Sequence, residues 1–269
     1  SATNSVVFTD QNDVFILKEK ELQHLYHGPF NGSISSITAS NTNIFIALTD
    51  GSILVKSLSG ETVFEKEVTS EYRIGRLYWD TDNKSLWGTT DLHPKIFRLD
   101  SLGRVMWYDL AYFEVSYLQS MKKLKDGFLY FLAAGKTNRL LKFNYDKDVF
   151  SESEFPILKE CIPTDFTEDK QGNLILTSDK GAFIINRRLK TSQKLSSFPE
   201  EDIINIKAVA ITDDDRIWLG AEKGLYCLSG NDYAFFSRND GLSHPSITYQ
   251  GIVFQSDYMY LATAKGVSY

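Results

Sequence analysis

A short unit repeats along this chain: an apolar strand, a turn that ends in glycine, and a second apolar strand. Four copies are clear, at residues 44–51, 174–181, 217–224 and 259–266, each closing on a glycine. The last three glycines are 43 and 42 residues apart, and the first gap of 130 residues equals three such steps. This spacing predicts two further copies near positions 94 and 137, where residues 85–90 and 128–132 supply apolar runs. A weaker seventh copy, at 6–9, opens the chain.

A period of 40–45 residues with four short strands in each unit is typical of a β-propeller. In the sixth unit, apolar alternation predicts strands at 204–211, 216–221, 225–228 and 233–237, with turn residues between them. We therefore predict an all-β protein, a β-propeller of four-stranded blades with a period of about 43 residues. The number of blades is about seven, and six remains open.

Packing explains why such units assemble, because one blade cannot cover both of its apolar faces alone. Small residues in the second strands, Gly88, Gly220 and Ala262, are expected to permit close approach between faces. Residues 1–27 and 246–269 each supply three strands, which gives 26 in all. We expect residues 1–269 to form a single propeller that was cut from a longer chain.

Composition excludes several classes of protein. A net charge of −6, from 29 basic and 35 acidic residues, argues against nucleic acid as a partner. No apolar run approaches the roughly 20 residues of a membrane span, so this segment is not expected to insert into a membrane. Cys161 and Cys227 stand apart and are interpreted as buried thiols. The four histidines are scattered, so the sequence predicts neither a metal site nor a cofactor.

Residues 211–226 read Ile-Thr-Asp-Asp-Asp-Arg-Ile-Trp-Leu-Gly-Ala-Glu-Lys-Gly-Leu-Tyr, and 239–243 read Asn-Asp-Gly-Leu-Ser. This stretch resembles the two-component-regulator propeller repeat, which runs Asp-x-x-Gly-x-Ile-Trp-Ile-Gly-Thr-x-x-Gly-Leu and later Asp-Gly-Leu-Ser. Residues 260–267 repeat its core. Asp215 stands where the repeat has its turn glycine, and Trp87 and Trp218 hold its tryptophan position.

The resemblance implies a function. Such repeats form periplasmic sensors of hybrid two-component histidine kinases in Bacteroides-type bacteria, and these sensors respond to oligosaccharides. The chain would then be a non-catalytic, ligand-sensing part of a multi-domain receptor in the periplasm or another extracytoplasmic space. Its partners would be a small-molecule or oligosaccharide ligand and the remaining receptor domains, with a homodimer left open.

Propellers bind ligands on the face formed by the loops that join strand four to the next strand one and strand two to strand three. These loops carry a mixture of charged, aromatic and imidazole side chains that suits sugar hydroxyls and sugar ring faces. The candidate ligand-binding residues are Tyr72, Arg73, Asp91, His93, Lys136, Glu222, Lys223 and His244. The four tryptophans (79, 87, 107 and 218) are interpreted instead as blade core.

Two other functions remain open. The first is a scaffold or protein-interaction propeller, since a related outer-surface secretion component also uses these repeats. The second is a propeller glycosidase or lyase, which needs a pair of carboxylates about 5–10 Å apart. The residues that could supply such a pair are Asp50, Asp91, Asp179 and Glu222.

Overall fold

The computed structural model describes residues 5–10, 12–18, 21–28, 32–195, 205–255 and 258–268. Within them the chain forms antiparallel β-sheets joined by short turns and a few 3₁₀ turns. Contacts between residues divide it into two compact units, Ser1–Leu118 and Gln119–Tyr269. No helix among the described residues is long and apolar enough to cross a membrane.

The first unit contains three sheets, each built from strands that are consecutive in the chain. Its strands are β1 (Ser5–Asp10), β2 (Asp13–Lys18) and β3 (Glu21–His27); β4 (Ile34–Ala39), β5 (Asn43–Leu48), β6 (Ser52–Ser57) and β7 (Thr62–Glu67); and β8 (Ile74–Asp80), β9 (Ser85–Thr90), β10 (Lys95–Leu99) and β11 (Val105–Asp109). All neighbouring strands pair antiparallel, so each sheet is a simple meander.

The second unit contains four sheets, and the first strand of the first of them starts just before the unit boundary. Its strands are β12 (Val115–Lys123), β13 (Leu129–Gly135), β14 (Arg139–Asn144) and β15 (Val149–Ser153); β16 (Pro163–Glu168), β17 (Leu174–Ser178), β18 (Gly181–Asn186) and β19 (Thr191–Lys194); β20 (Ile206–Ile211), β21 (Ile217–Ala221), β22 (Leu225–Ser229) and β23 (Asp232–Phe236); and β24 (Ile247–Gln255), β25 (Tyr258–Thr263) and β26 (Gly266–Ser268).

The strands observed agree with the sequence prediction. Five sheets have four strands, and the first and last sheets have three each among the described residues. Strands β21 to β23 begin and end within one residue of their predicted limits, and the start of the predicted strand at 204–211 lies outside the described residues. The agreement follows from local signals, since the apolar alternation marks each strand and the turn residues mark its ends.

The core lies between neighbouring sheets within each unit. In the first unit, Phe45 and Val55 pack with Ile74 and Phe97 of the next sheet. In the second unit the same kind of cluster joins β17 and β18 to β20 and β21. Each sheet therefore buries apolar side chains against its neighbour, as the repeat predicts.

The two small glycines of the second strands act in different ways. A Cβ on Gly220 would lie 2.6 Å from Ile247 Cγ2 in the next sheet, so this glycine does permit close approach between sheets. A Cβ on Gly88 would instead lie 2.0 Å from Phe97 Cζ, and Phe97 is its partner within the same sheet. At Gly88 the missing side chain makes room for an aromatic ring that covers the strand.

A β-bulge recurs near the start of the first strand of a sheet. In four sheets the register shifts by one residue, and the extra residue is Ser35, Gly75, Thr164 or Lys207. A bulge places two residues opposite one and reverses the alternation of side chains beyond it. The first strand therefore presents a different set of side chains before and after this point.

Asp215 has φ of +62°, in the left-handed region that glycine adopts most easily. The residue closes the turn between β20 and β21, where its N–H donates to the Thr212 carbonyl at 2.9 Å. The side chain before it, Asp214, accepts from Arg216 Nε at 2.6 Å, which holds its pKa at about 2. The turn thus keeps the conformation of the repeat without its glycine.

Cys161 and Cys227 are both buried and not bonded to each other, as expected. Burial raises the pKa of both thiols. Because the thiolate is the reactive form, both side chains are packing residues at neutral pH.

Candidate functional site

The eight predicted ligand-binding residues fall into three groups. Four lie in the first unit. In the second unit, three lie in or next to one cluster of polar side chains, and one lines a separate pocket. The first group is Tyr72, Arg73, Asp91 and His93; the second is Glu222, Lys223 and His244; the third is Lys136.

In the first unit, two loops hold the predicted residues together. The loop between β7 and β8 carries Arg73, and the loop between β9 and β10 carries Asp91. The Asp91 N–H donates to the Arg73 carbonyl at 2.9 Å, which joins the loops through their backbones. Arg73 Nε lies 3.2 Å from Asp91 Oδ2, and both side chains are about half exposed. This ion pair fixes the two loops beside each other and leaves polar edges open to solvent.

Tyr72 and His93 pack together on the same pair of loops. Their ring centroids are 4.7 Å apart in an edge-on arrangement. Lys95 Nζ donates to the Tyr72 hydroxyl at 3.0 Å and lies 4.6 Å from the centre of the Tyr72 ring. The hydrogen bond to Tyr72 raises the pKa of Lys95, so the ammonium stays charged. An aromatic face, an imidazole and a cation therefore lie side by side.

A pocket of about 380 Å³ opens beside this cluster. Its wall is formed by the loop after β7, the start of β10 and the end of β11. The lining residues are Val68, Thr69, Ser70, Glu71, Tyr72, Lys95, Trp107, Tyr108 and Asp109. Trp107 is 40% exposed, so this tryptophan is not blade core as the sequence suggested.

The chemistry of this pocket suits a polyhydroxylated ligand. Flat aromatic side chains pack against the C–H face of a sugar ring, and carboxylates and an ammonium group bind hydroxyls in fixed directions. Tyr72 and Trp107 supply the first kind of group, and Glu71, Lys95 and Asp109 supply the second.

The second unit holds a cluster around Lys207, the extra residue of the bulge in β20. Lys207 Nζ donates to the Glu222 carboxylate and, at 3.1 Å, to Ser246 Oγ. The Ser246 N–H donates to His244 Nδ1 at 3.1 Å. Hydrogen bonds from Lys207 and then Ser246 lower the pKa of Glu222. Lys223, next to Glu222 in the turn, is exposed.

Lys136 lines another pocket of the second unit, of about 400 Å³. The pocket lies between the turn after β13 and the end of β15, and the Arg139–Glu152 ion pair forms part of its wall. No other predicted ligand-binding residue lines this pocket. Lys136 is therefore separate from the Glu222 cluster among the residues described.

Three residues of these sites were missed by sequence reasoning. Lys95 starts β10 two positions after His93, and the spacing could have revealed it. Trp107 lies on β11, the last strand of its sheet, which the loop-based prediction did not consider. Lys207 is at a bulge, and apolar alternation gives no signal for a bulge.

The carboxylates considered for a catalytic pair all have partners nearby. Asp91 pairs with Arg73, and Glu222 accepts from Lys207. Asp50 Oδ1 accepts from the Ser52 N–H at 2.9 Å, and Asp179 Oδ1 accepts from the Ile162 N–H at 2.7 Å. Asp50 thus stabilises its own turn, and Asp179 joins the turn between β17 and β18 to the segment before β16.

No family model matches this chain, and no curated protein matches its sequence. Solved structures do match it across nearly its whole length. A streptogramin B lyase structure superposes with a TM-score of 0.79 at 16% identity, covering 99% of this chain and 89% of that one. The fold is a seven-bladed β-propeller. The predicted fold class is thereby confirmed.

Structural neighbours also include domains of larger proteins. The extracellular domain of a hybrid two-component system from B. thetaiotaomicron matches with a TM-score of 0.71 at 17% identity. That match covers 100% of this chain and 38% of the other. PorZ, a surface component of the type-IX secretion system of Porphyromonas gingivalis, matches with a TM-score of 0.72 at 14% identity, covering 96% and 42%. At these identities the likeness is one of fold.

Proposed function

We propose that this chain is a ligand-sensing propeller of a two-component signal-transduction receptor and binds an oligosaccharide-type ligand. The binding site is the pocket beside Tyr72, Lys95 and Trp107. The observation that carries the proposal is the pairing of a half-exposed tryptophan with a tyrosine, a cation and two carboxylates around one pocket. Arg73 and His93 do not line the pocket but lie next to it, through the contact of Arg73 with Asp91 and of His93 with Tyr72.

Two further observations support the receptor context. The repeat at 211–226 resembles that of two-component regulators, and the neighbours include the extracellular domain of such a system. This chain spans 38% of that neighbour, so its partners include the remaining domains of a longer receptor. The domain works outside the cytoplasm, and a homodimer is one arrangement such receptors could use.

Binding would act by population shift. A ligand changes the balance between receptor arrangements only when it binds one of them more tightly. The loop that carries Tyr72 and Arg73 leads directly into β8, the first strand of its sheet. A ligand held by this loop is therefore connected to the sheet through its first strand.

The chain itself is proposed to be non-catalytic. Four candidate carboxylates are engaged by cations or by backbone N–H groups, which suits a structural role. The first alternative function is that of a lyase, because a streptogramin B lyase shares the fold over 89% of its length. The second alternative function is that of a scaffold in a secretion system, because PorZ shares the fold as well.

The test is thermal unfolding of the purified chain with a panel of neutral and acidic oligosaccharides. Quinupristin is added to the panel, because a virginiamycin B lyase from Staphylococcus aureus with this fold has been solved with it. At a concentration a hundredfold above the dissociation constant, a ligand should stabilise the fold by about 2.7 kcal/mol. We expect Trp107→Ala to abolish the shift. Tyr112→Ala, which removes a ring that is 90% exposed and outside the pocket lining, should keep it.

Mass spectrometry of the recovered ligand separates the alternatives. A sugar recovered intact supports a sensor, and a shortened sugar or a chemically altered quinupristin identifies an enzyme. No shift with any compound argues against the sugar sensor and favours the scaffold. A shift that survives Trp107→Ala moves the site away from this pocket.

A further inference from the structure

Three side chains of the first sheet bring metal-ligating atoms together. His24 Nε2 lies 2.6 Å from Asp13 Oδ1, and His27 Nδ1 lies 2.7 Å from the same oxygen. Among the described residues these three side chains form a group whose ligand atoms all lie within 4.8 Å of one another. We propose that Asp13, His24 and His27 bind a divalent transition-metal ion, with Zn²⁺ as the ion that fits best.

A β-bulge creates this arrangement. Residues three apart on a regular strand point to opposite faces, so a His-x-x-His spacing would normally separate the two rings. In β3, however, His24 pairs with Phe15 and Tyr26 pairs with Val14, which leaves Leu25 as an extra residue. The bulge reverses the alternation between the histidines and brings them to one face. His27 pairs directly with Asp13, so the carboxylate belongs to the same group.

The His24 ring contacts an aromatic side chain, and all three ligand side chains are partly exposed to solvent. The His24 ring packs edge-on against Phe15 at 5.1 Å, and Phe15 stacks on Phe8 at 5.5 Å. The side chains of His24, His27 and Asp13 are 48%, 68% and 30% exposed. The aromatic support limits ring motion, and the exposure gives an ion a direct path from solvent.

The donor set selects the class of ion. Two imidazole nitrogens and one carboxylate oxygen are ligands of Zn²⁺ and related ions, whereas Ca²⁺ and Mg²⁺ require mainly oxygen. Ligands about 2.0–2.1 Å from a tetrahedral ion lie roughly 3.3 Å apart, so each histidine nitrogen needs to move less than about 1 Å away from the Asp13 oxygen. Three protein ligands leave a fourth position for water or an outside donor, as in open zinc sites.

The sequence alone predicts no such site, because its four histidines look scattered. The proposal is also independent of the ligand pocket, since none of its three residues lines that pocket. The bound ion joins β2 to β3 within the first sheet. The proposed sensor function does not require this structural role.

The first test is Zn²⁺ binding by calorimetry on the intact, chelator-treated chain, with Ca²⁺ as a comparison ion. We expect one Zn²⁺ per chain and no matching Ca²⁺ binding. Loss of an outer partner of a metal ligand already lowers affinity about 10–100-fold, so His24→Gln or His27→Gln should lower it at least tenfold. Glu21→Gln, which removes an exposed carboxylate of the same strand, should bind as the unmodified chain does. Equal Zn²⁺ affinity in the histidine variants would overturn the proposal.

The second test needs no variant and so does not depend on folding. Diethylpyrocarbonate modifies free imidazoles, and peptide mapping reports each histidine separately. Zn²⁺ should protect His24 and His27 and leave the modification of His93 and His244 unchanged. Protection of all four histidines, or of none, contradicts a specific site at Asp13.

Discussion

Asp165 is a deeply buried carboxylate with three described hydrogen-bond donors. It is 1% exposed and accepts hydrogen bonds from Ser120 Oγ at 2.8 Å, Lys122 Nζ at 2.9 Å and the Val209 N–H at 3.0 Å. These bonds join the first strands of three successive sheets in the second unit. The carboxylate thus acts as a shared acceptor for β12, β16 and β20.

We expect Asp165→Ala to lower the free energy of unfolding by about 3 kcal/mol, because it leaves buried donors without an acceptor and an ammonium without its partner. Ser120→Ala removes one donor only and should cost about 1 kcal/mol. Urea unfolding of both variants measures the two values. Equal losses would mean that the carboxylate is no more than one ordinary hydrogen-bond partner.

Tyr130 makes the free energy of unfolding depend on pH in the alkaline range. Burial and its hydrogen bond to Asp126, at 2.8 Å, raise the pKa of the phenol. Below about pH 10, the ordinary tyrosine value, the folded and unfolded chains both keep the proton and the stabilisation is complete. Above it, the unfolded chain releases the proton first, so stability falls as pH rises.

The expected slope from this one group is about 1.4 kcal/mol per pH unit above pH 10. Tyr130→Phe should remove this share of the pH dependence, and Tyr112→Phe, at a ring 90% exposed, should not. Unfolding free energies measured between pH 9 and pH 11 by urea give the comparison. An unchanged slope in Tyr130→Phe would show that other groups cause it.

At the scale of the elements, the contact between β21 and β24 is set by a missing side chain. A Cβ on Gly220 would come within 2.6 Å of Ile247 Cγ2 and 3.0 Å of its Cβ. Ile247 is fully buried and cannot turn away into solvent. The distance between these two sheets therefore depends on glycine at this position.

We expect Gly220→Ala to cost about 1–3 kcal/mol through overpacking. The loss should be smaller when Ile247→Ala already provides space, so the two substitutions should be non-additive in a double-mutant cycle. Thermal or urea unfolding of the four proteins gives the coupling. Additive losses would contradict a direct clash between these residues.

At the scale of the whole molecule, most of the fold could be predicted from sequence because its signals are local. Apolar alternation marks the strands, and turn residues mark the ends, even where Asp215 replaces glycine. The pairing of Tyr72 and Arg73 with Asp91 and His93 also follows from the repeat, since their loops adjoin. Their role in binding is a proposal that rests on the pocket.

Other parts of the sites could not be predicted, for two physical reasons. A bulge interrupts the two-residue alternation by which strands are predicted, so this alternation indicates neither Lys207 nor the meeting of His24 with His27. A pocket wall depends on packing between distant segments, so the exposure of Trp107 depends on tertiary structure.

The recurring bulge of the first strands leaves a trace that could help to find such repeats elsewhere. Since it adds one residue, buried positions on either side are three apart, the spacing of a helix face within a strand. The pairs are Ile74 and Leu77, Pro163 and Phe166, and Ile206 and Val209, which are buried, and Ile34 and Ile37, which are partly buried. Val115 and Leu118, both buried, have the same spacing in β12. Diverged chains that have lost the turn glycine could therefore be searched for a helix-like apolar pair that returns at each blade.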